Sequence, residues 1–136
     1  MTKISEITYL GNLRAVSRHL QSGDEITTDA PKDNHGRGEA FSPTDLVSTA
    51  LGNCMVSIMG IIGKIHLFEL GEISASIHKI MDSNPRRIKE IKVEIRIEDK
   101  NFTVKQKQLL EYAAINCPVA KSLSDDTLQT VSFEYY

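Results

Sequence analysis

The stretch Ser42-Pro43-Thr44-Asp45-Leu46-Val47-Ser48-Thr49-Ala50-Leu51-Gly52-Asn53-Cys54-Met55 decides how this chain is read. It opens as a helix start. Ser42 can cap, Pro43 takes the first helical position, where its missing N–H costs nothing, and Asp45 stands three residues after Ser42 as in a capping box. No residue from Leu46 to Gly63 carries a charge, and Lys64 and His66 then suit the negative pole of the helix dipole before Gly71 stops the element. Ser48, Thr49, Asn53, Ser57 and the glycines at 52, 60 and 63 make this run too polar and too short for a membrane span. The pattern predicts a helix buried on nearly all sides, in a core or between subunits.

Working outward, Thr103 with Gln106 three residues on predicts a second helix through Leu109, Leu110, Ala113 and Ala114 to Asn116. Pro118 forces a fresh start, and Pro118–Leu123 reads as a further short helix ending near Asp125. Elsewhere the period is two. Ile91, Val93, Ile95 and Ile97 alternate with charged residues, and Ile73, Ala75 and Ile77 alternate with Ser74, Ser76 and His78. Asp82-Ser83-Asn84-Pro85 turns the chain between these two strands, and Val131, Phe133 and Tyr135 mark a C-terminal one. Short strands are expected around Ile4–Leu10, Leu13–Leu20 and Glu25–Thr28, followed by an irregular polar stretch from Pro31 to Glu39. Loops of that length are often functional. This order predicts an α+β fold with antiparallel sheet, in one domain spanning residues 1–136.

Composition narrows the function classes. The 136 residues carry 16 Lys+Arg against 18 Asp+Glu, which leaves no basic field for nucleic acid or anionic lipid. Trp is absent and aromatics are 6%, so a stacking platform for bases or sugars is not expected. The first ten residues lack the basic and apolar regions of a secretory signal, and two cysteines make no disulfide scaffold. The cytoplasm is the expected compartment, with Cys54 and Cys117 present as thiols. A free cysteine is often a small buried hydrophobe; a thiol at a helix start, as Cys117 is placed, is also favoured as thiolate. The spacing alone does not say whether the two sulfurs meet. His19, His35, His66 and His78 share no ligand-like spacing and neither cysteine sits in a CxxC pair, so no metal is expected.

The paired segments Phe41-Ser42-Pro43-Thr44-Asp45-Leu46 … Ala50-Leu51-Gly52-Asn53-Cys54 and Asn116-Cys117-Pro118-Val119-Ala120 resemble the OsmC/Ohr family of osmotically induced and organic hydroperoxide resistance proteins. The likeness is to the OsmC-like branch, and the order of elements matches along essentially the whole chain. It implies an intertwined homodimer that buries the long central helices and places its active sites at the subunit interface. It implies a peroxidase in which Cys54 attacks an organic hydroperoxide and becomes a sulfenic acid. Cys117 closes a disulfide with it, and an external dithiol resets the pair without metal, haem or flavin. Leu51, Met55 and Ile58 around Cys54 would form an apolar substrate pocket.

Such chemistry needs a cation beside the nucleophile. In the family this is an arginine, commonly held by a carboxylate at the start of the central helix. Here Thr44 follows the proline and Asp45 comes one place later, so Asp45 is either that carboxylate or a helix cap. The turn that carries the arginine in the Ohr branch matches Tyr9-Leu10-Gly11-Asn12, which has none. Arg37 is the first choice, with Glu39 to orient it and Gly36 and Gly38 beside it for mobility; Arg14 comes second and Arg18 third. The competing reading is a non-catalytic dimer of the same fold that binds an apolar small molecule at its interface.

Overall fold

The computed structural model describes residues 1–136, which form two compact units, Met1–Val47 and Ser48–Tyr136. The architecture is α+β, with two main helices and two three-stranded sheets, as the element order predicts.

The first unit holds β1 (Ser5–Gly11), β2 (Arg14–His19) and β3 (Glu25–Asp29) in an antiparallel meander. Asn12 and Leu13 turn the first hairpin with φ of 52° and 62°, the pair of left-handed residues that matches the strand twist in a tight turn. The register sets Arg14 opposite Asp29 and Arg18 opposite Glu25. A single 3-10 turn, Lys32–Asn34, interrupts the polar stretch, and Phe41 returns to pair with Thr28. Ile7 and Tyr9 on β1 remain exposed.

In the second unit β4 (Ile73–Asp82), β5 (Arg87–Ile97) and β6 (Leu128–Tyr135) form the other sheet, in that order. Helix α1 (Pro43–Ile65) starts in the first unit and runs into this one, where α2 (Val104–Ile115) and α3 (Pro118–Ser122) also lie. The alternation along β5 is realised directly: Ile91, Val93, Ile95 and Ile97 are buried while Lys92, Glu94 and Arg96 face water. They pack with Leu51, Met55 and Met59 of α1 and Leu110 and Ala114 of α2. Each large side chain so buried contributes about 1.5–3 kcal/mol. Thr103 caps α2 with a reciprocal capping box to Gln106.

Two expectations are corrected. The second sheet is mixed, because β6 runs parallel to β5. Helices α2 and α3 carry the chain back to the end where β5 began, and a crossover of that kind returns a strand in the same direction. Helix α1 also stops at Ile65 and does not run on to Gly71. Leu67 adopts φ 57° and Phe68 N–H reaches back to the Gly63 carbonyl, closing the helix in a Schellman turn with a leucine where glycine is usual.

Helix α1 buries one face, through Ser48, Leu51, Gly52, Met55, Met59 and Gly63. Val47, Ala50, Ser57, Ile61 and Ile65 on the other face are exposed, Ile61 by 49%. The expectation of burial on nearly all sides is thus met on one side within the single chain. By length and composition alone the helix could cross a membrane, a test that core helices also pass.

Candidate active site

In the second unit, Cys54 projects from the middle of α1, half-buried, between the core residues Leu51 and Met55 and the half-buried Ile58. Cys117 occupies the N-cap of α3 and is only 1% exposed. Its N–H donates to the Ala114 carbonyl at the end of α2, and its own carbonyl accepts from Lys121, so backbone bonds on both sides fix the residue. The two side chains are neighbours, near enough for the Cys54 thiol to act on the Cys117 thiol. Burial pushes the Cys117 thiol up, with the Cys54 contact adding to the effect, and this outweighs the opposing backbone N–H groups of Ala120 and Val119. The helix start therefore does not make Cys117 a thiolate, contrary to expectation, because desolvation exceeds what one short turn supplies.

Helix α1 and strand β4 leave a groove of about 180 Å³ lined by Thr49, Gly52, Asn53, Val56, Ile73, Ala75 and Ile77. Gly52 lets the strand approach: a methyl group there would lie 2.4 Å from Ile77 Cδ1.

The first unit contains an ionic cluster. Arg14 Nε donates to Asp29 Oδ1 at 2.7 Å and Nη2 to Oδ2 at 2.8 Å, a two-point bridge to a carboxylate that is 0% exposed. Glu39 N–H donates to Asp29 Oδ2 at 3.2 Å. The hydrogen bonds from Arg14 hold the Asp29 carboxyl below the usual range, with Arg37 adding through space, while Asp29 and Glu39 raise the Arg14 guanidinium. Arg37 itself is exposed and lines an open groove with Asn12, Leu13, His35 and Gly36. The glycines beside it serve close packing and not the mobility expected of them. A methyl on Gly36 would sit 1.6 Å from the Ala30 carbonyl oxygen, and Gly38 N–H bonds to that same oxygen.

Asp45 caps its helix. Its carboxylate accepts the Ser42 N–H at 3.0 Å while its own N–H donates to Ser42 Oγ at 3.0 Å. Arg18 is exposed at the far end of β2. His19 meets Ser22, and His78 faces Glu94 at 3.3 Å. No three His, Cys, Asp or Glu side chains are grouped as metal ligands. Asp29 is the residue that sequence reasoning missed. Its only signal was the hairpin register that sets it opposite Arg14, which cannot be counted until both turns are placed.

The comparisons agree with this architecture. A family model described as OsmC-like protein matches residues 36–131. A protein from Psychrobacter arcticus 273-4, provisionally described as an osmotic stress induced and detoxification response protein, is 40% identical, with 98% of this chain and 97% of that one covered at a TM-score of 0.92. An organic hydroperoxide resistance protein OsmC from Legionella pneumophila, also described as a predicted redox protein, shares the fold at 13% identity (TM-score 0.77, 98% of each chain). So does an organic hydroperoxide resistance protein from Elizabethkingia anophelis at 16% identity (TM-score 0.71, 100% and 99%). No curated protein matches.

Proposed function

This chain belongs to the OsmC-like protein family, and from that premise we propose that it is a thiol-dependent peroxidase for organic hydroperoxides in oxidative-stress defence. The observation that carries the reading is the contact between two thiols from separate helices, one half-exposed and one buried. Cys54, as thiolate, attacks the distal oxygen of the hydroperoxide. The O–O bond breaks, the alkoxide takes a proton and leaves as alcohol, and Cys54 becomes a sulfenic acid. The Cys117 sulfur then attacks the Cys54 sulfur, water departs, and a disulfide forms. An external dithiol reductant restores both thiols, so the cycle calls for no metal, haem or flavin. Of the expected apolar pocket, Leu51 and Met55 are fully buried in the core, which leaves the half-buried Ile58 beside Cys54 to favour alkyl chains over hydrogen peroxide through burial of the chain. For the guanidinium that the chemistry needs, Arg37 is the first choice, with Arg14 second and Arg18 third.

The reading includes a homodimer built on the exposed apolar face of α1, which runs along the same helix as Cys54. Light scattering at micromolar concentration is expected to return twice the chain mass, and a monomer would remove this part of the proposal. The cytoplasm, where thiols are kept reduced, suits the cycle.

Intact mass after one equivalent of an organic hydroperoxide, with hydrogen peroxide in parallel, tests the activity. A Cys54–Cys117 disulfide that forms faster with the organic peroxide is the expected result. Slow, indiscriminate oxidation would favour the competing reading, a fold retained to bind an apolar molecule, for which the α1–β4 groove is the place to search.

A further inference from the structure

We propose that Gln129, on β6, is the positioning residue that holds Cys117 beside Cys54 for disulfide closure. The inference rests on the two-cysteine cycle proposed above and concerns its second step alone. Along β6 the inward positions are Gln129, Val131, Phe133 and Tyr135, and the last three pack on the core. Gln129 breaks that apolar series, opposite the fully buried Ile91 of β5. A polar amide in such a place needs a partner, since leaving it unmet costs free energy. Its Nε2 donates to the Ala120 carbonyl at 3.0 Å. That carbonyl belongs to α3, the helix whose N-cap is Cys117.

Helix α3 needs such a hold. Five residues are too few for a helix to persist by itself, and the carbonyls of its last turn lack intrahelical donors. Lys121 N–H closes the turn onto the Cys117 carbonyl, and Ser122 Oγ bonds to the Pro118 carbonyl. Gln129 takes up the Ala120 carbonyl from outside the helix. Val119 and Leu123 also pack on the core, but apolar burial has no direction and fixes no orientation. At the other end the Cys117 N–H is tied to Ala114 of α2. The anchor is itself firm, because Arg87 Nη1 holds the Asp126 carbonyl and Thr127 Oγ1 bonds to the Ile88 carbonyl just before β6 begins. A disulfide accepts Cα separations of only about 4.4–6.8 Å, so a modest drift of α3 slows closure.

Gln129→Leu tests this, since it continues the apolar series and removes the donor. The first readout uses no peroxide. The protein is equilibrated with reduced and oxidised dithiothreitol, and the oxidised form accepts two electrons and two protons from the Cys54 and Cys117 thiols as their disulfide forms. The effective concentration of the two thiols is expected to fall about 5–10-fold, the range that one neutral hydrogen bond can hold. That corresponds to a shift of about 20–30 mV in the potential of the pair. The second readout follows one equivalent of an organic hydroperoxide. In closure the S–S bond forms, the Cys54 S–O bond breaks, and the hydroxyl leaves as water with the Cys117 thiol proton. This step is expected to slow by a similar factor, so dimedone captures more sulfenic acid, while sulfenic acid forms within two-fold of the native rate.

Values within two-fold of native in both readouts would overturn the proposal. Equal slowing of both steps would also overturn it, by assigning Gln129 to the fold at large. Should Gln129→Leu fail to fold, Gln129→Met, unbranched and of similar length, decides by the same readouts. A native chain that closes its disulfide in dithiothreitol but is inert toward hydroperoxide removes the peroxidase reading, and the first readout then decides the role of Gln129. A native chain that closes no disulfide at all overturns both.

Discussion

Cys54→Ser is expected to abolish hydroperoxide turnover, and Cys117→Ser to permit a single turnover that ends in a sulfenic acid trapped by dimedone. The asymmetry follows from where the two sulfurs lie. Cys54 is only partly buried on α1, whereas Cys117 is enclosed and held as a neutral thiol by burial. Without Cys54 there is no accessible nucleophile. Without Cys117 the first step is unaffected, but no thiol stands beside the sulfenic acid to condense with it. Intact mass after one equivalent of hydroperoxide separates the two variants: no change for Cys54→Ser and one added oxygen for Cys117→Ser. Full cycling in either would end the two-cysteine scheme. Serine is small enough to keep both positions packed, so thermal melting should differ little between the variants and the native chain.

Gly36→Ala is expected to destabilise the chain by about 3 kcal/mol, the upper end for an insertion that packing cannot absorb. The added methyl would stand 1.6 Å from the Ala30 carbonyl oxygen and 2.1 Å from its carbon, and backbone on both sides has no rotamer with which to move away. Relief requires the polar stretch to lift. That movement strains the bonds from Gly36 N–H to Pro31 and from Gly38 N–H to Ala30, and it pulls Glu39 from Asp29. Gly38→Ala is the contrast. Its φ of 62° carries a penalty of about 1–2 kcal/mol in a non-glycine residue, but the neighbour its methyl would meet is the flexible Lys32 side chain. Urea denaturation of the three proteins measures the order. Equal midpoints for Gly36→Ala and the native chain would mean that the close approach to Ala30 is not held in solution.

Much of the fold was legible because its signals are local. The alternation from Ile91 to Ile97 fixed which face of β5 is buried, and the Thr103–Gln106 pair fixed the start of α2. What escaped depends on partners far away in the sequence or on residues that break a preference. The direction of β6 is set by where α2 and α3 deliver the chain, which no strand pattern records. The end of α1 is set by Leu67 in a conformation that costs a leucine free energy, so the turn could not be read from the usual glycine. In the site, Cys54 and Cys117 stood out through their flanking residues, and Asp45 through its spacing to Ser42. Asp29 did not, since an aspartate ending a strand is ordinary until a register places Arg14 against it.

The burial of Cys117 also governs how a disulfide between the two cysteines is undone. Thiol–disulfide exchange is a direct displacement, so the incoming sulfur must approach in line with the bond it breaks. Cys117, at 1% exposure beneath the end of α2, gives no such approach, and the half-exposed Cys54 does. On the proposed cycle a reductant would therefore couple to Cys54 and expel Cys117. The same raised proton affinity that keeps Cys117 neutral makes it a reluctant leaving group. Regeneration would then be the slower half of the cycle, favouring a strongly reducing dithiol whose second sulfur displaces the mixed disulfide from Cys54 before Cys117 can return.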